Sequence, residues 1–167
     1  PEMYFPITPK WDYSTSEVNA ILENSELYTR YSYMGQAFDF ELVGGSFFYD
    51  DPTMHITKQI NPVTQTLTQL TVRPEYHRVN MGGGSFSVPL GDLVVRGEGA
   101  WYDGRLFQTS NPAIPDATIE KNFINYMAGI DYTIGGVKLS AQFIRESILD
   151  YETGIANREH VNMLTFL

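Results

Sequence analysis

Cysteine is absent from the 167 residues, which excludes a disulfide framework, a thiolate metal site and a thiol nucleophile. Basic residues are scarce, 11 Lys and Arg against 20 Asp and Glu, for a formal net charge of −9. Binding to a nucleic-acid backbone needs a basic footprint, so DNA and RNA are not expected as partners. No apolar run reaches the roughly 18 residues of a membrane helix. The opening PEMYFPITPK has neither the basic nor the apolar segment of a signal peptide. A helical membrane protein is thereby excluded, while a membrane protein that crosses with strands is not. Without an initiator Met, and with an abrupt close at NMLTFL, the chain reads as processed or as a piece of a longer one.

What is present is a composition suited to an ordered core: 43% hydrophobic and 14% aromatic residues, with 14 Gly and 9 Pro. Its organisation shows in NYMAGIDYTIGGVKLSAQF, residues 125–143. With Gly135-Gly136 as a two-residue turn, Ile134 opposes Val137, Tyr132 opposes Leu139, Ile130 opposes Ala141 and Ala128 opposes Phe143. The other face then holds Thr133 with Lys138, Asp131 with Ser140 and Gly129 with Gln142. Because side chains alternate with period two, the clean separation is a test of the turn position as well as of the strands.

The construction repeats around Gly91-Asp92, pairing Leu90 with Leu93, Val88 with Val95, Phe86 with Gly97 and Gly82 with Trp101, and behind them Ser87 with Arg96 and Ser85 with Glu98. It repeats again around Gly35-Gln36, where it predicts Tyr33 opposite Phe38, Tyr31 opposite Phe40, Thr29 opposite Leu42, Ser32 opposite Asp39 and Arg30 opposite Glu41. Hairpins are therefore expected over about 25–50, 76–106 and 122–149, with a last strand near 159–167. The stretch 1–24 reads as an incoming loop with a short helical turn within TSEVNAILEN, and 51–75, 107–121 and 150–158 read as long polar loops. The fold class is all-β, an antiparallel up-and-down meander in a single barrel domain or barrel segment over 1–167, with tight turns at one end and long loops at the other.

Alternation alone does not say which face is wet. In a soluble sandwich or barrel the apolar face is the core, whereas in an outer-membrane barrel it meets lipid and the polar face lines the lumen. Strand lengths of about 10 to 14 residues exceed the soluble norm and suffice to cross a hydrocarbon layer at a tilt. Aromatics collect toward the ends of the apolar face, as interfacial girdles do: Tyr132, Tyr33, Phe38 and Phe40 near the tight turns, Trp101, Tyr126 and Phe143 toward the loops. Arg145 falls on the apolar face just beyond Phe143, where its charge can reach a headgroup layer but would be costly in a soluble core. The membrane barrel is the reading these features favour.

The residues also carry a resemblance. LENSELYTRYSYMGQAFDFELVGGSFFYDDP, PEYHRVNMGGGSFSVPLGDLVVRGEGAWYDG and KNFINYMAGIDYTIGGVKLSAQFIRESILDY resemble successive hairpins of a family of uncharacterised, porin-like outer-membrane β-barrel proteins of Gram-negative bacteria. The likeness runs from about residue 23 to 150, and its most specific parts are Asn24-Ser25-Glu26, Tyr76-His77-Arg78 and Arg96-Gly97-Glu98-Gly99-Ala100. It implies a transmembrane barrel located in the outer membrane and several times longer than seven strands, of which this chain is a segment. The chain departs from that pattern in lacking a signal peptide and the terminal strand. The resemblance carries over no catalytic residues.

Other chemistry finds little support. His55, His77 and His160 have no H-x-x-x-H or H-E-x-x-H spacing, so no metal is expected. MGGGS at 81–85 lacks the Lys-Ser/Thr and helix of a phosphate loop and reads as strand glycines that allow bending or close approach. Asp50, Asp51, Asp150 and Glu152 sit where strands give way to loops. They could hold Ca²⁺ or bridge it to lipopolysaccharide, but solvated acidic loops are the simpler reading. There is no G-x-S-x-G elbow, and neither an enzyme nor a cofactor is expected.

The expected function is a passive or substrate-selective, porin-like channel for small solutes, with a lumen lined by Arg30, Asp39, Glu41, Arg96, Glu98, Lys138, Gln142 and Glu146. Arg96 beside Glu98 and Arg30 opposite Glu41 would set its field. Outer-membrane lipid, lipopolysaccharide and small solutes are the expected partners, and association into homo-oligomers stays open. The alternatives are a structural or surface-interaction barrel with a filled lumen, and a soluble ligand-binding β-module.

Overall fold

The computed structural model describes residues 7–19 and 21–167. Ten strands follow in chain order: β1 (Lys10–Trp11), β2 (Leu27–Met34), β3 (Asp39–Phe48), β4 (Thr53–Ile60), β5 (Leu67–Glu75), β6 (Arg78–Leu90), β7 (Leu93–Gln108), β8 (Thr118–Ile134), β9 (Val137–Ile148) and β10 (His160–Phe166). Seven form one antiparallel sheet in the order β10-β9-β8-β7-β6-β3-β2, and the other three form a small mixed sheet, β1-β5-β4. The large sheet is open: β2 and β10 each pair with one neighbour among the described residues.

The second and third hairpins hold the register that alternation dictates, from Leu90 opposite Leu93 to Gly82 opposite Trp101 and from Ile134 opposite Val137 to Ala128 opposite Phe143. Gly135 and Gly136 both take positive φ, 56° and 82°, the backbone twist that a two-residue hairpin turn requires and that side chains resist. Gly35 has no such φ, and the first hairpin departs from expectation accordingly. Its loop spans four residues, 35–38, closed by the Gly35 N–H donating to the Phe38 carbonyl at 3.1 Å and to Asp39 Oδ1 at 3.1 Å. Tyr33 thus opposes Phe40, Tyr31 opposes Leu42, Thr29 opposes Gly44, Ser32 opposes Glu41 and Arg30 opposes Val43. The slip is by two residues, an even number, so every side chain keeps its expected face.

Two expected loops are largely strand. Residues 53–75 form the β4–β5 hairpin, and β7 and β8 run on until only 109–117 remain between them. The β4–β5 segment is rich in β-branched Thr, Ile and Val but alternates weakly in polarity, which hid it. Asn61 makes its turn, accepting the Val63 and Thr64 N–H groups at 2.9 and 3.2 Å on Oδ1. Of the helical turn expected within 15–24, the described residues show a single 3₁₀ turn at Leu22–Asn24.

The glycine-rich centre of the sheet is tight. A Cβ on Gly83 would meet the Gly99 carbonyl oxygen, and one on Gly84 the Glu41 carbonyl oxygen, each at 2.6 Å. Beyond Tyr102 a bulge at 103–104, with Gly104 at φ 81°, shifts the β7 register against β8. The extra residue turns Arg105 and Phe107 onto the face that Arg96, Glu98 and Tyr102 occupy.

Candidate functional site

Following direct pairings across the sheet sorts the side chains. One row runs Met34, Asp39, Ser87, Arg96, Gly129, Gln142, Thr165; the next runs Ser32, Glu41, Ser85, Glu98, Met127, Ile144, Met163; a third runs Arg30, Val43, Gly83, Ala100, Asn125, Glu146, Val161. Lys138, opposite Thr133, belongs to the same face. All eight residues expected to line a lumen, Arg30, Asp39, Glu41, Arg96, Glu98, Lys138, Gln142 and Glu146, therefore share one face. Of the seven expected at the lipid boundary, Tyr33, Phe40, Trp101, Tyr126, Tyr132 and Phe143 share the other, with Tyr33, Phe40 and Phe143 in one row, and Phe38, in the loop of the first hairpin, packs its ring against Tyr33 and Phe40.

Arg30 pairs with Glu41 as the sequence suggested, but Arg96 does not pair with Glu98. Arg96 turns away from Glu98 and donates to Asp131 Oδ1 at 2.8 Å, while Lys138 reaches Asp131 Oδ2 at 3.2 Å and the Ser140 hydroxyl donates to Oδ1 at 2.6 Å. Asp131 is the centre of this cluster, its side chain only 6% exposed. It was legible as a polar-face residue opposite Ser140, but its role depends on a diagonal approach from β7 and a turn-end lysine from β9. Arg30 pairs with Glu41 at 2.5 Å across one diagonal step. Glu98 and Glu146 form no ion pair among the described residues, and with Glu41, Asn125 and Tyr102 they border a hollow of about 340 Å³.

At the loop end the same face is covered. Phe107, Phe123 and Ile148 from the sheet are buried with Ile155 of the β9–β10 connection, and Val79 is buried on the same face. Tyr102, Ile119 and Tyr151 pack around that cluster. Strand β4 meets the loop-end portions of β7 and β8, where its Met54 carbonyl accepts the amide of Gln108, a residue on the face opposite Phe107, at 2.6 Å. The Lys121 ammonium pairs with Glu152. Arg105 lies over the rings of Phe123, Tyr49 and Phe107, with its guanidinium carbon 4.2, 4.7 and 5.1 Å from their centroids.

His77 links the two sheets. Its Nε2 accepts the Leu106 N–H at 3.2 Å, which leaves Nδ1 to donate to Thr53 Oγ1 at 3.2 Å. Burial, reinforced by the nearby charges of His55 and Arg105, lowers its pKa below the ordinary histidine value. Beside it, His55 Nδ1 lies 3.2 Å from Asp116 Oδ2, which also accepts the Thr118 hydroxyl at 2.8 Å. Partial burial works against the Asp116 charge, but hydrogen bonds from Thr118 and His55 outweigh it and hold the carboxyl below its usual value. Neither histidine belongs to a metal-binding group, since no three His, Asp or Glu side chains converge for one among the described residues.

The other face is apolar and open. Tyr31, Tyr33, Leu42, Phe86, Leu90, Trp101, Tyr126, Ile130, Tyr132, Leu139 and Leu164 are all exposed on it, far beyond the few hundred Å² of contiguous apolar surface that a soluble monomer tolerates. No helix among the described residues is long and apolar enough to cross a membrane. No protein-family model, curated protein or solved structure matches the chain.

Proposed function

We propose that the chain is part of an outer-membrane β-barrel of the porin-like kind its hairpins resemble, and that its polar face lines a lumen through which small solutes pass. The observation that carries this reading is where the loops lie. The β9–β10 connection, through Ile155 and Tyr151, packs against the polar face at its loop end, so the bare apolar face is outermost, where only lipid satisfies it.

The stagger of the strands supports closure. The tips of the three hairpins stand level with Gly129, Tyr132 and Ile134 of β8, a climb of five residues over four strand steps. Closing a sheet requires such a shear, and this one corresponds to a strand tilt of about 40°. Measured from their own tips, Trp101, Tyr126 and Arg145 all lie eight residues in. At that tilt the apolar band between tips and girdle is about 20 Å tall, near the height of an outer-membrane barrel's lipid belt.

On the polar face Asp39, Glu41, Glu98, Asp131 and Glu146 outnumber Arg30, Arg96 and Lys138, and Glu98 and Glu146 have no ion-pair partner among the described residues, which favours cations in transit. In planar bilayer recordings of the full-length protein, Glu98→Lys should shift the reversal potential toward anions while leaving the protein folded. An unchanged potential removes the face from the pore. A second reading, a structural barrel with a filled lumen, rests on the apolar cluster of Phe107, Phe123, Ile148 and Ile155 at the loop end; a folded barrel of zero conductance selects it.

A further inference from the structure

Three successive rows of the apolar face cross β8, β9 and β10: Ala128, Phe143, Leu164; then Tyr126, Arg145, Asn162; then Ile124, Ser147, His160. Within two rows the surface passes from hydrocarbon to hydrogen-bonding groups. Arg145 is fixed at that boundary, its Nε donating to Ser147 Oγ at 3.2 Å, while His160 Nδ1 lies 3.1 Å from the same hydroxyl. The Nη groups of Arg145 have no protein partner, and the arginine no carboxylate, among the described residues. Glu159, the acid adjoining His160, is engaged with His160 Nε2 at 3.4 Å.

An arginine held at the edge of an apolar band, uncompensated and flanked by an amide and a phenol, is complementary to one ligand chemistry: a phosphate attached to an acyl chain. We infer that Arg145, Asn162 and Tyr126 bind the phosphate of a membrane lipid headgroup, whose chains lie over Phe143 and Leu164. Ser147 and His160 position the guanidinium. This inference rests on the membrane reading given above, and it names the lipid chemistry recognised at one point of the barrel's circumference.

The test uses the full-length protein in phosphatidylcholine vesicles with and without phosphatidic acid. After flotation and mild detergent extraction, mass spectrometry counts the phosphatidic acid that stays with the protein. The expected result is preferential retention of phosphatidic acid, reduced about fivefold by Arg145→Gln, the effect of one basic residue near a charged membrane surface. Arg145→Lys should keep most of it and Lys58→Gln, on the second sheet, all of it. Equal retention by Arg145→Gln in a protein that still floats overturns the headgroup site alone. Displacement of the retained lipid by inorganic phosphate overturns the assignment to a lipid and leaves a free-phosphate site. Failure of the wild-type protein to float overturns the membrane reading itself.

Discussion

At the scale of residues, the junction between the two sheets depends on a histidine that must stay neutral. His77 accepts the Leu106 N–H with Nε2, and a proton on that nitrogen would set two donors against each other. Its pKa is lowered in the folded state by burial, so the unfolded chain binds the extra proton first as pH falls. Stability contributed by this site is complete above the unfolded value of about 6.5 and declines as pH drops through the folded value. Asp116 behaves likewise in a separate, more acidic window. Its depressed folded pKa contributes stability above the unfolded value of about 3.9, lost as pH falls toward the folded one. Denaturant unfolding between pH 7.5 and 5, values chosen to bracket the about 6.5 of free histidine, should show a falling midpoint in the wild type. In His77→Gln the profile should be flat over that range. A wild-type profile that is already flat would place the proton elsewhere.

Cavity formation in the buried cluster at the loop end gives a second residue-scale expectation. Phe107 is 4% exposed and packs on Phe123 with ring centroids 6.3 Å apart. Phe107→Ala should destabilise the fold by about 3–5 kcal/mol, read from the denaturant midpoint. The conservative Phe107→Leu should cost much less. If Phe107→Ala unfolds like wild type, the cluster is not packed as described.

Among elements, the first hairpin shows what alternation does and does not fix. Polarity specifies faces, and a slip of two residues leaves faces unchanged, so pairing Tyr31 with Phe40 or with Leu42 satisfies the pattern equally. The turn decides: without positive φ at Gly35 the loop opens to four residues and Tyr31 meets Leu42. The absence of native cysteine makes this directly measurable. A Tyr31→Cys, Leu42→Cys pair should form a disulfide readily, because directly opposed residues fall within bridging distance, whereas Tyr31→Cys, Phe40→Cys should form one slowly. The reverse order of rates would restore the two-residue turn. The β4–β5 hairpin was hidden for the complementary reason. Its strands hide one face partially, at Leu70 and Val72, with Lys58 opposite Leu70, so neither face reads as apolar throughout.

At the scale of the whole molecule, tight turns and long connections gather at opposite ends of the large sheet, and the second sheet sits only at the latter. If the sheet spans a bilayer, single cysteines at Asp92 and at Asn157 should react with a membrane-impermeant maleimide from opposite sides in oriented proteoliposomes. Labelling of both from one side would mean that the strands do not cross. The same polarity divides one face into a charged part near the tips, around Asp131, and an aromatic part at the loop end, around Arg105 and Phe107. Polar rows and apolar rows belong to the same strands, separated by the bulge at 103–104 that turns Phe107 inward.

The sequence by itself determined the strands of the large sheet, the membership of each face, and the register of the two hairpins whose tips carry Gly91-Asp92 and Gly135-Gly136. These are local matters, settled by period-two polarity and turn stereochemistry within some twenty residues. Which face is covered was decided only by the tertiary structure, because the alternating pattern is symmetric between inside and outside. The answer comes from contacts between distant segments, with Ile155 and Tyr151 of the β9–β10 connection against Phe107, Phe123 and Ile148. The partner of Arg96 was decided the same way. Glu98 is nearer in sequence, but neighbouring residues two apart on a strand stand side by side, whereas Asp131 on the adjacent strand is brought within 2.8 Å and offers a buried carboxylate that also gathers Lys138 and Ser140.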